Sequence, residues 1–173
     1  MLSKNQQQWP PISVPVLERE LDRLADAVMA GDERELNEQM WLSRFLVVRA
    51  CGYLEQCVHL IVTEHVQVNS WGTVRSFAIS WMPRSRTPSA ENLMEVLGRL
   101  DAALQEEFET LLAHNDGELR QRLALLVGRR HQIAHGQNEG MGTQSALELY
   151  RAAKVISDWF VRRFAPYAEA KTT

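Results

Sequence analysis

Apolar residues recur every three or four positions through most of the chain, which is the spacing that places them on one face of an α-helix. The first apolar stripe covers residues 17–28 and ends before a glycine. A longer stripe follows over about 32–65, and Asp32 with Glu35 resembles a capping box at its start. The pattern predicts a short first helix and a long, central second helix. It leaves open whether the second helix is broken near its middle.

Three more helices are predicted in the second half of the chain, each bounded by residues that favour helix ends. Ser89 is a candidate N-cap for the third helix and Thr143 for the fifth. The tetrapeptide HNDG at 114–117 is typical of a turn and would separate the third helix from the fourth. The predicted helices cover about 89–113, 118–135 and 143–165, and Pro166 follows the last of them.

The segment of about 67–88, between the second and third helices, lacks a helical period and is rich in Gly, Ser, Thr and Pro. Those residues predict a long irregular loop. Long structureless loops are uncommon in compact domains, so the aromatic residues Trp71, Phe77 and Trp81 indicate that this loop packs as a small core of its own. A surface that binds a partner is the alternative interpretation of the same aromatic residues.

Together these elements predict an all-α bundle of about five helices with one long irregular loop and no internal repeats. Residues 1–13 are polar and contain prolines, so we expect a flexible N-terminal arm. Residues 14–173 are then expected to form a single domain, since a chain of 173 residues can bury one sizeable core.

Composition and charge exclude some classes of function for this protein. The net charge of −3 and the pI near 6.0 exclude a general coat protein for nucleic acids, because nonspecific phosphate binding needs surplus Lys and Arg. The chain starts without an apolar signal sequence and has no unbroken run of about 18 apolar residues, so we expect no membrane segment. Cys51 and Cys57 are separated by about 9 Å of helical rise, too far for a disulfide. Two unpaired cysteines suit a reducing compartment, and a cytoplasmic location is expected.

One stretch concentrates the candidate chemistry. LVGRRHQIAHGQNEG, which begins at Leu126, places two arginines and two histidines within 129–135. His131 and His135 are four residues apart, so on a helix both imidazoles can face one metal ion. In the zinc-protease pattern a glutamate follows the first histidine, whereas Gln132 here cannot accept a proton. No third ligand is apparent, so neither a metal nor another cofactor is expected.

A phosphate-binding site is the second interpretation of this stretch. Arg130 offers a planar fork of donors that matches two phosphate oxygens, and His135 can transfer a proton near neutral pH. On a regular helix the two side chains would diverge by about 140°. They converge only if the helix ends at His135, which Gly136 permits. A structural interpretation competes, because basic residues in the last helical turn complement the helix dipole.

Three segments of the chain resemble a known family in the right order. RHQIAHG at 130–136 resembles the R-x4-6-H motif of HEPN domains, in which a polar residue usually follows the arginine. LVVRACGYLEQCVHLIV at 46–62 is similar to the second-helix segment of the RiboL-PSP subgroup of that family. RSRTPSAENLMEVLGRLD at 84–101 is similar to the loop and following helix of the subgroup, so the similarity covers most of the chain.

The resemblance implies an all-α HEPN fold that forms a homodimer, and in many members a metal-independent endoribonuclease. In such members the motif helices of two subunits meet at the two-fold axis, so each composite site holds two arginines and two histidines. The implied reaction is RNA cleavage by attack of a ribose 2′-OH, without DNA cleavage. A bacterial toxin or phage-defence system is the implied setting, with an antitoxin or other regulatory protein as a further partner.

The resemblance also assigns roles by position. Arg130 matches the motif arginine and His135 the motif histidine, so these two are the implied catalytic residues. His131 occupies the polar position after the arginine, and Glu55 matches an acidic position from which it could hold Arg130 through a bidentate pair. Further candidate contacts with RNA are Arg129, Arg84 and Arg86.

The chain departs from one subgroup of HEPN toxins. Those neutralised by a nucleotidyltransferase partner carry Tyr two residues after the motif histidine, where this chain has Gln137, so control by tyrosine modification is not expected. The alternative function is a HEPN domain that no longer cuts RNA and serves as a dimerisation, RNA-sensing or RNA-binding module. A third alternative is a helical scaffold that binds another protein through the segment 71–81.

Overall fold

The computed structural model describes residues 9–31, 35–81, 86–137 and 140–166. Within these ranges the chain forms six α-helices and no strand, so the predicted all-α class is confirmed. The helices are α1 (Ser13–Met29), α2 (Leu36–Asn69), α3 (Gly72–Ser80), α4 (Ala90–Leu100), α5 (Ala102–Ala134) and α6 (Thr143–Arg163).

Helix α2 is the centre of the bundle. It runs without a break from Leu36 to Asn69 and packs against α1, α5 and α6, with Leu46, Leu54 and Ile61 fully buried. By length and composition alone it could cross a membrane, because one 18-residue window has a mean hydropathy of 1.4. Since 56% of that window is buried inside the bundle, packing against the neighbouring helices accounts for this apolar character.

The prediction of an irregular loop over about 67–88 is wrong for most of that segment. Helix α2 continues to Asn69, and Gly72–Ser80 forms α3. The prediction of a small aromatic core in this segment is also wrong, because α3 has no buried residue and Trp71 is 78% exposed. Arg75 fixes the start of α3, since its Nε donates a hydrogen bond to the carbonyl of Ser70 at 2.9 Å.

The predicted third helix is divided in two. Ser89 caps α4 as predicted, because its hydroxyl accepts the backbone N–H of Asn92 at 3.3 Å. The helix then ends at Leu100, and Asp101 takes extended backbone angles and caps α5 by accepting the N–H of Ala103 at 2.9 Å. An aspartate in this position competes with the helical hydrogen bonds through its own carboxylate, which explains why one helical stripe folds as two helices.

The predicted HNDG turn interrupts α5. His114 has extended backbone angles, and Asn115, Asp116 and Gly117 all have positive φ, so residues 102–113 and 118–134 form two helical segments joined by a corner. At the far end of the chain, the N-cap of α6 is Gly142 and not the predicted Thr143, which is the first helical residue.

The first and last parts of the bundle are joined through Trp9. Its indole N–H donates to the carbonyl of Val161 at 2.9 Å, and its ring packs against the core. Residues 1–8 of the predicted arm lie outside the described residues, as does Asp32 of the predicted capping box. Helices α1 and α6 both pack on α2, so this contact ties the segment before α1 to the C-terminal part of α6.

Candidate functional site

Helix α5 ends where the sequence predicted, while the convergence of Arg130 with His135 stays a prediction. The helix ends at Ala134, His135 is the C-cap, and Gly136 has a φ of +71°. The N–H of Gly136 donates to the carbonyl of Ile133 at 3.1 Å, and that of Gln137 donates to the carbonyl of Gln132 at 3.0 Å. These two bonds form a Schellman motif, which terminates α5 and sets the direction of His135.

We expect Gly136→Ala to destabilise the protein by about 1 kcal/mol, because a Cβ is unfavourable at positive φ. No atom lies within 4 Å of a Cβ built at Gly136, so the loss would come from backbone strain alone. Gly128→Ala is the matched control, since a Cβ there also has open space but the backbone is helical, and the change should stabilise by up to about 1 kcal/mol. Urea unfolding measures both; equal effects would contradict the assigned role of Gly136.

The histidines of this helix end lie against each other. The ring centroids of His131 and His135 are 4.3 Å apart with an interplanar angle of 60°, and both residues are exposed. Arg130, also exposed, forms no side-chain hydrogen bond or ion pair within the described residues. The last turn therefore presents a guanidinium and two imidazoles to solvent, and these groups can bind an anion such as a phosphate.

The middle of α2 lies within electrostatic reach of Arg130. Burial raises the pKa of the Cys51 thiol to about 11, while the positive charge of Arg130 opposes this rise and the negative charge of Glu55 adds to it. Helices α2 and α5 pack against each other, and the charges of Arg130 and Glu55 both act on Cys51. The bidentate pair predicted between Glu55 and Arg130 is not formed in the described part of the chain, so the supporting role of Glu55 stays a prediction.

The other candidate cations lie at different places in the structure. Arg129 is half-buried, and its Nη1 is 3.4 Å from the side-chain oxygen of Gln132. Arg86 is ion-paired with Glu95 beside α4. Arg84 lies outside the described residues. The described chain therefore places Arg86 at a second surface, distinct from the end of α5.

That second surface is a groove of about 350 Å³ between α2, α3 and α4, called here the α2–α3–α4 groove. Phe77 and Trp81 of α3 line one wall, and Glu55 and His59 of α2 line another. The sequence missed this groove because the segment that contains its aromatic wall was predicted as a packed loop. A usable signal was present, since Trp71, Val74, Phe77 and Trp81 follow each other at spacings of three, three and four residues.

Metal binding receives no support from the described residues. No group of three or more His, Cys, Asp or Glu side chains in these ranges is arranged to hold a metal ion. Cys51 and Cys57 are both free and buried, and burial raises the pKa of Cys57 to about 12. A metal prefers the thiolate, which burial disfavours, so these cysteines are poor ligands.

Comparison with protein families returns one finding for most of the chain. The family model described as RiboL-PSP-HEPN matches residues 17–164, a span that runs from the first turns of α1 to the C-cap of α6. Comparison with curated proteins and with solved structures returns no significant match.

Proposed function

The chain belongs to the RiboL-PSP-HEPN family, and we propose that it is a metal-independent endoribonuclease that cuts RNA at the end of α5. The observation that carries this proposal is the exposed group of Arg130, His131 and His135 on a helix end that Gly136 terminates. Residues that only complement the helix dipole at this end need a positive charge and nothing more. This helix end adds two adjacent imidazoles, which are groups that can give or take a proton.

The reaction is transesterification within the RNA strand. The ribose 2′ oxygen attacks the adjacent phosphorus while the bond from phosphorus to the 5′ oxygen breaks, which leaves a 2′,3′-cyclic phosphate and a 5′-OH. One imidazole takes the proton of the 2′-OH, and a protonated imidazole gives a proton to the departing 5′ oxygen. His135 is the proposed proton-transfer residue, and Arg130 stabilises the negative charge that develops on the phosphoryl oxygens.

A second copy of the chain would complete this site. One subunit exposes Arg130, His131 and His135 at the α5 end, while the protein as a whole carries a net charge of −3. Two α5 ends at a two-fold axis would double the cationic cluster and create a local phosphate cleft on an otherwise acidic protein. We therefore propose a homodimer in the cytoplasm, acting as a toxin or defence nuclease that an antitoxin or other protein partner restrains.

The purified wild-type protein should cleave single-stranded RNA in the presence of EDTA, because no step requires a metal ion. The products should end in a 2′,3′-cyclic phosphate, and DNA or 2′-O-methyl RNA of the same sequence should stay intact because both lack a free 2′-OH. Gel electrophoresis and mass spectrometry of the products measure these outcomes. Loss of activity with EDTA and its return with zinc would overturn the mechanism, and a monomer at micromolar concentration in light scattering would overturn the composite site.

The second candidate is an RNA-binding HEPN module that does not cut. One observation favours it, namely that no hydrogen bond or ion pair among the described residues fixes the guanidinium of Arg130. An unfixed guanidinium can bind a phosphate but is less well preorganised to stabilise a transition state. RNA binding without cleavage across diverse substrates would select this candidate.

A further inference from the structure

We propose that the α2–α3–α4 groove binds one unstacked base of single-stranded RNA. This inference rests on the proposed RNA function, and it adds a substrate class: strands in which a base is free to leave its neighbours. Four properties support it, namely the shape of the groove, its aromatic wall, its polar wall on α2 and the two arginines that line it.

The groove has the size and lining of a pocket for a small planar ligand. Its volume is about 350 Å³, near the lower end of the range of roughly 300–1,000 Å³ that small-molecule pockets occupy. Most of its lining is apolar, and a few polar side chains stand among these residues, notably Glu55, His59 and Asn92. An apolar pocket with few polar groups fits one aromatic base, whose faces are apolar and whose edge carries hydrogen-bonding groups.

Helix α3 supplies aromatic rings that the fold itself does not use. Phe77 is 63% exposed and Trp81 is 57% exposed, although both line the groove, and their ring centroids are 5.5 Å apart. Aromatic rings held at the surface are the platforms on which proteins stack single-stranded bases. Since α3 has no buried residue, core packing does not explain these side chains.

Helix α2 supplies a polar wall of the groove. Glu55 and His59 are four residues apart, so they lie along one side of the helix, and both line the groove. A carboxylate and an imidazole on this wall can form hydrogen bonds with the edge of a base.

Two arginines lie at the groove and share one carboxylate. Arg86 and Arg99 both line the groove and both bind the carboxylate of Glu95, whose pKa is lowered by the hydrogen bond from Arg86 and by the charges of the two arginines. Glu55 on another wall offsets the remaining positive charge, so the attraction for RNA comes from the guanidinium N–H groups of Arg86 and Arg99, which can donate hydrogen bonds to phosphate oxygens. Arg99 also lies over the indole of Trp81, 5.4 Å from the ring centroid, and this contact holds the indole in place.

The test is the binding of a fluorescein-labelled, single-stranded 2′-O-methyl RNA to the full-length protein, followed by fluorescence anisotropy. This probe lacks the attacking hydroxyl, so binding is measured without cleavage. We expect Trp81→Ala and Phe77→Ala each to weaken binding at least about five-fold, the lower end of what losing one base stack costs. Trp71→Ala is the matched control, because Trp71 is exposed beside the same helix but does not line the groove, and it should bind as wild type does.

Two further measurements locate the base. Annealing the probe to its complement should weaken binding, because a paired base cannot enter the groove. A probe that carries 4-thiouridine should cross-link to residues of α2, α3 or α4 that line the groove. Circular dichroism and the unfolding midpoint of each variant show that the fold is intact, which is expected since Phe77 and Trp81 are exposed.

Four outcomes separate this inference from the proposed nuclease activity. If Trp81→Ala binds RNA as Trp71→Ala does, the groove is not a base site, even where the wild type cleaves RNA. Groove-dependent binding without cleavage supports the base site and overturns the nuclease. Absence of RNA binding by the wild type overturns both. If Trp81→Ala changes the molecular mass of the assembly but not its affinity for RNA, the groove is an interface between copies of the chain, and the base site is overturned.

Discussion

The His135→Ala variant should cleave RNA at least about a hundred-fold more slowly than the wild type, because general acid–base catalysis by one positioned group contributes roughly 10²–10⁴ in rate. Arg130→Ala should cause a loss on the order of 10²–10³, the typical cost of removing one group that stabilises a developing oxyanion. Both residues are exposed, so neither change should lower the stability of the fold. Single-turnover cleavage of a labelled RNA with EDTA present measures these rates.

Matched controls lie elsewhere on the surface. His114→Ala removes an exposed histidine from the HNDG corner, and Arg151→Ala removes an exposed arginine from α6. Both should cleave at the wild-type rate. Arg130→Lys keeps the charge but loses the planar fork, so it should recover only part of the activity. If His135→Ala and His114→Ala cleave equally fast, the α5 end is not the site of the chemistry.

The Phe160→Ala variant should lose about 3–5 kcal/mol of unfolding free energy, which is the range for removing a large aromatic side chain from a close-packed core. Phe160 is completely buried on α6. Its ring packs edge-to-face with Phe108 of α5 at a centroid distance of 5.7 Å and stacks on Phe164 at 5.8 Å. The loss therefore combines a cavity with broken aromatic contacts between two helices.

Phe45→Ala is the control for this effect, because Phe45 lies on α2 but is 54% exposed. Its loss of stability should stay well below that of Phe160→Ala, since no closed cavity forms. Urea unfolding at a fixed protein concentration measures both, and the concentration matters because a dimer links unfolding to association. Equal losses for the two variants would contradict the placement of Phe160 at the contact between α5 and α6.

The helix end at His135 could be predicted from the sequence because all of its determinants are local. A glycine after the last apolar-periodic residue supplies the left-handed conformation, and the hydrogen bonds that close the motif join residues at most five positions apart. The same holds for Ser89, whose capping bond is made to Asn92. Such features depend on a few neighbouring residues and on little else in the fold.

Features that depend on tertiary contacts could not be predicted from the sequence. The spacing of Trp71, Phe77 and Trp81 permits a helix, but no local rule states whether its apolar side will be covered, and the structure leaves it exposed. The effect of the Arg130 charge on the pKa of Cys51 joins residues almost eighty positions apart and depends on the packing of α5 on α2. For the same reason the groove could not be predicted, since three separate helices form it.

The corner in α5 has a practical consequence for labelling chemistry. His114 is exposed and has φ −59° and ψ 146°, which any residue adopts, whereas the next three residues need positive φ. A cysteine introduced there would be the accessible thiol, because Cys51 and Cys57 are buried and their pKa values are raised to about 11 and about 12. A maleimide dye would then attach to His114→Cys alone, about 25 Å of helix from His135. Energy transfer between two such dyes would report how the copies are arranged.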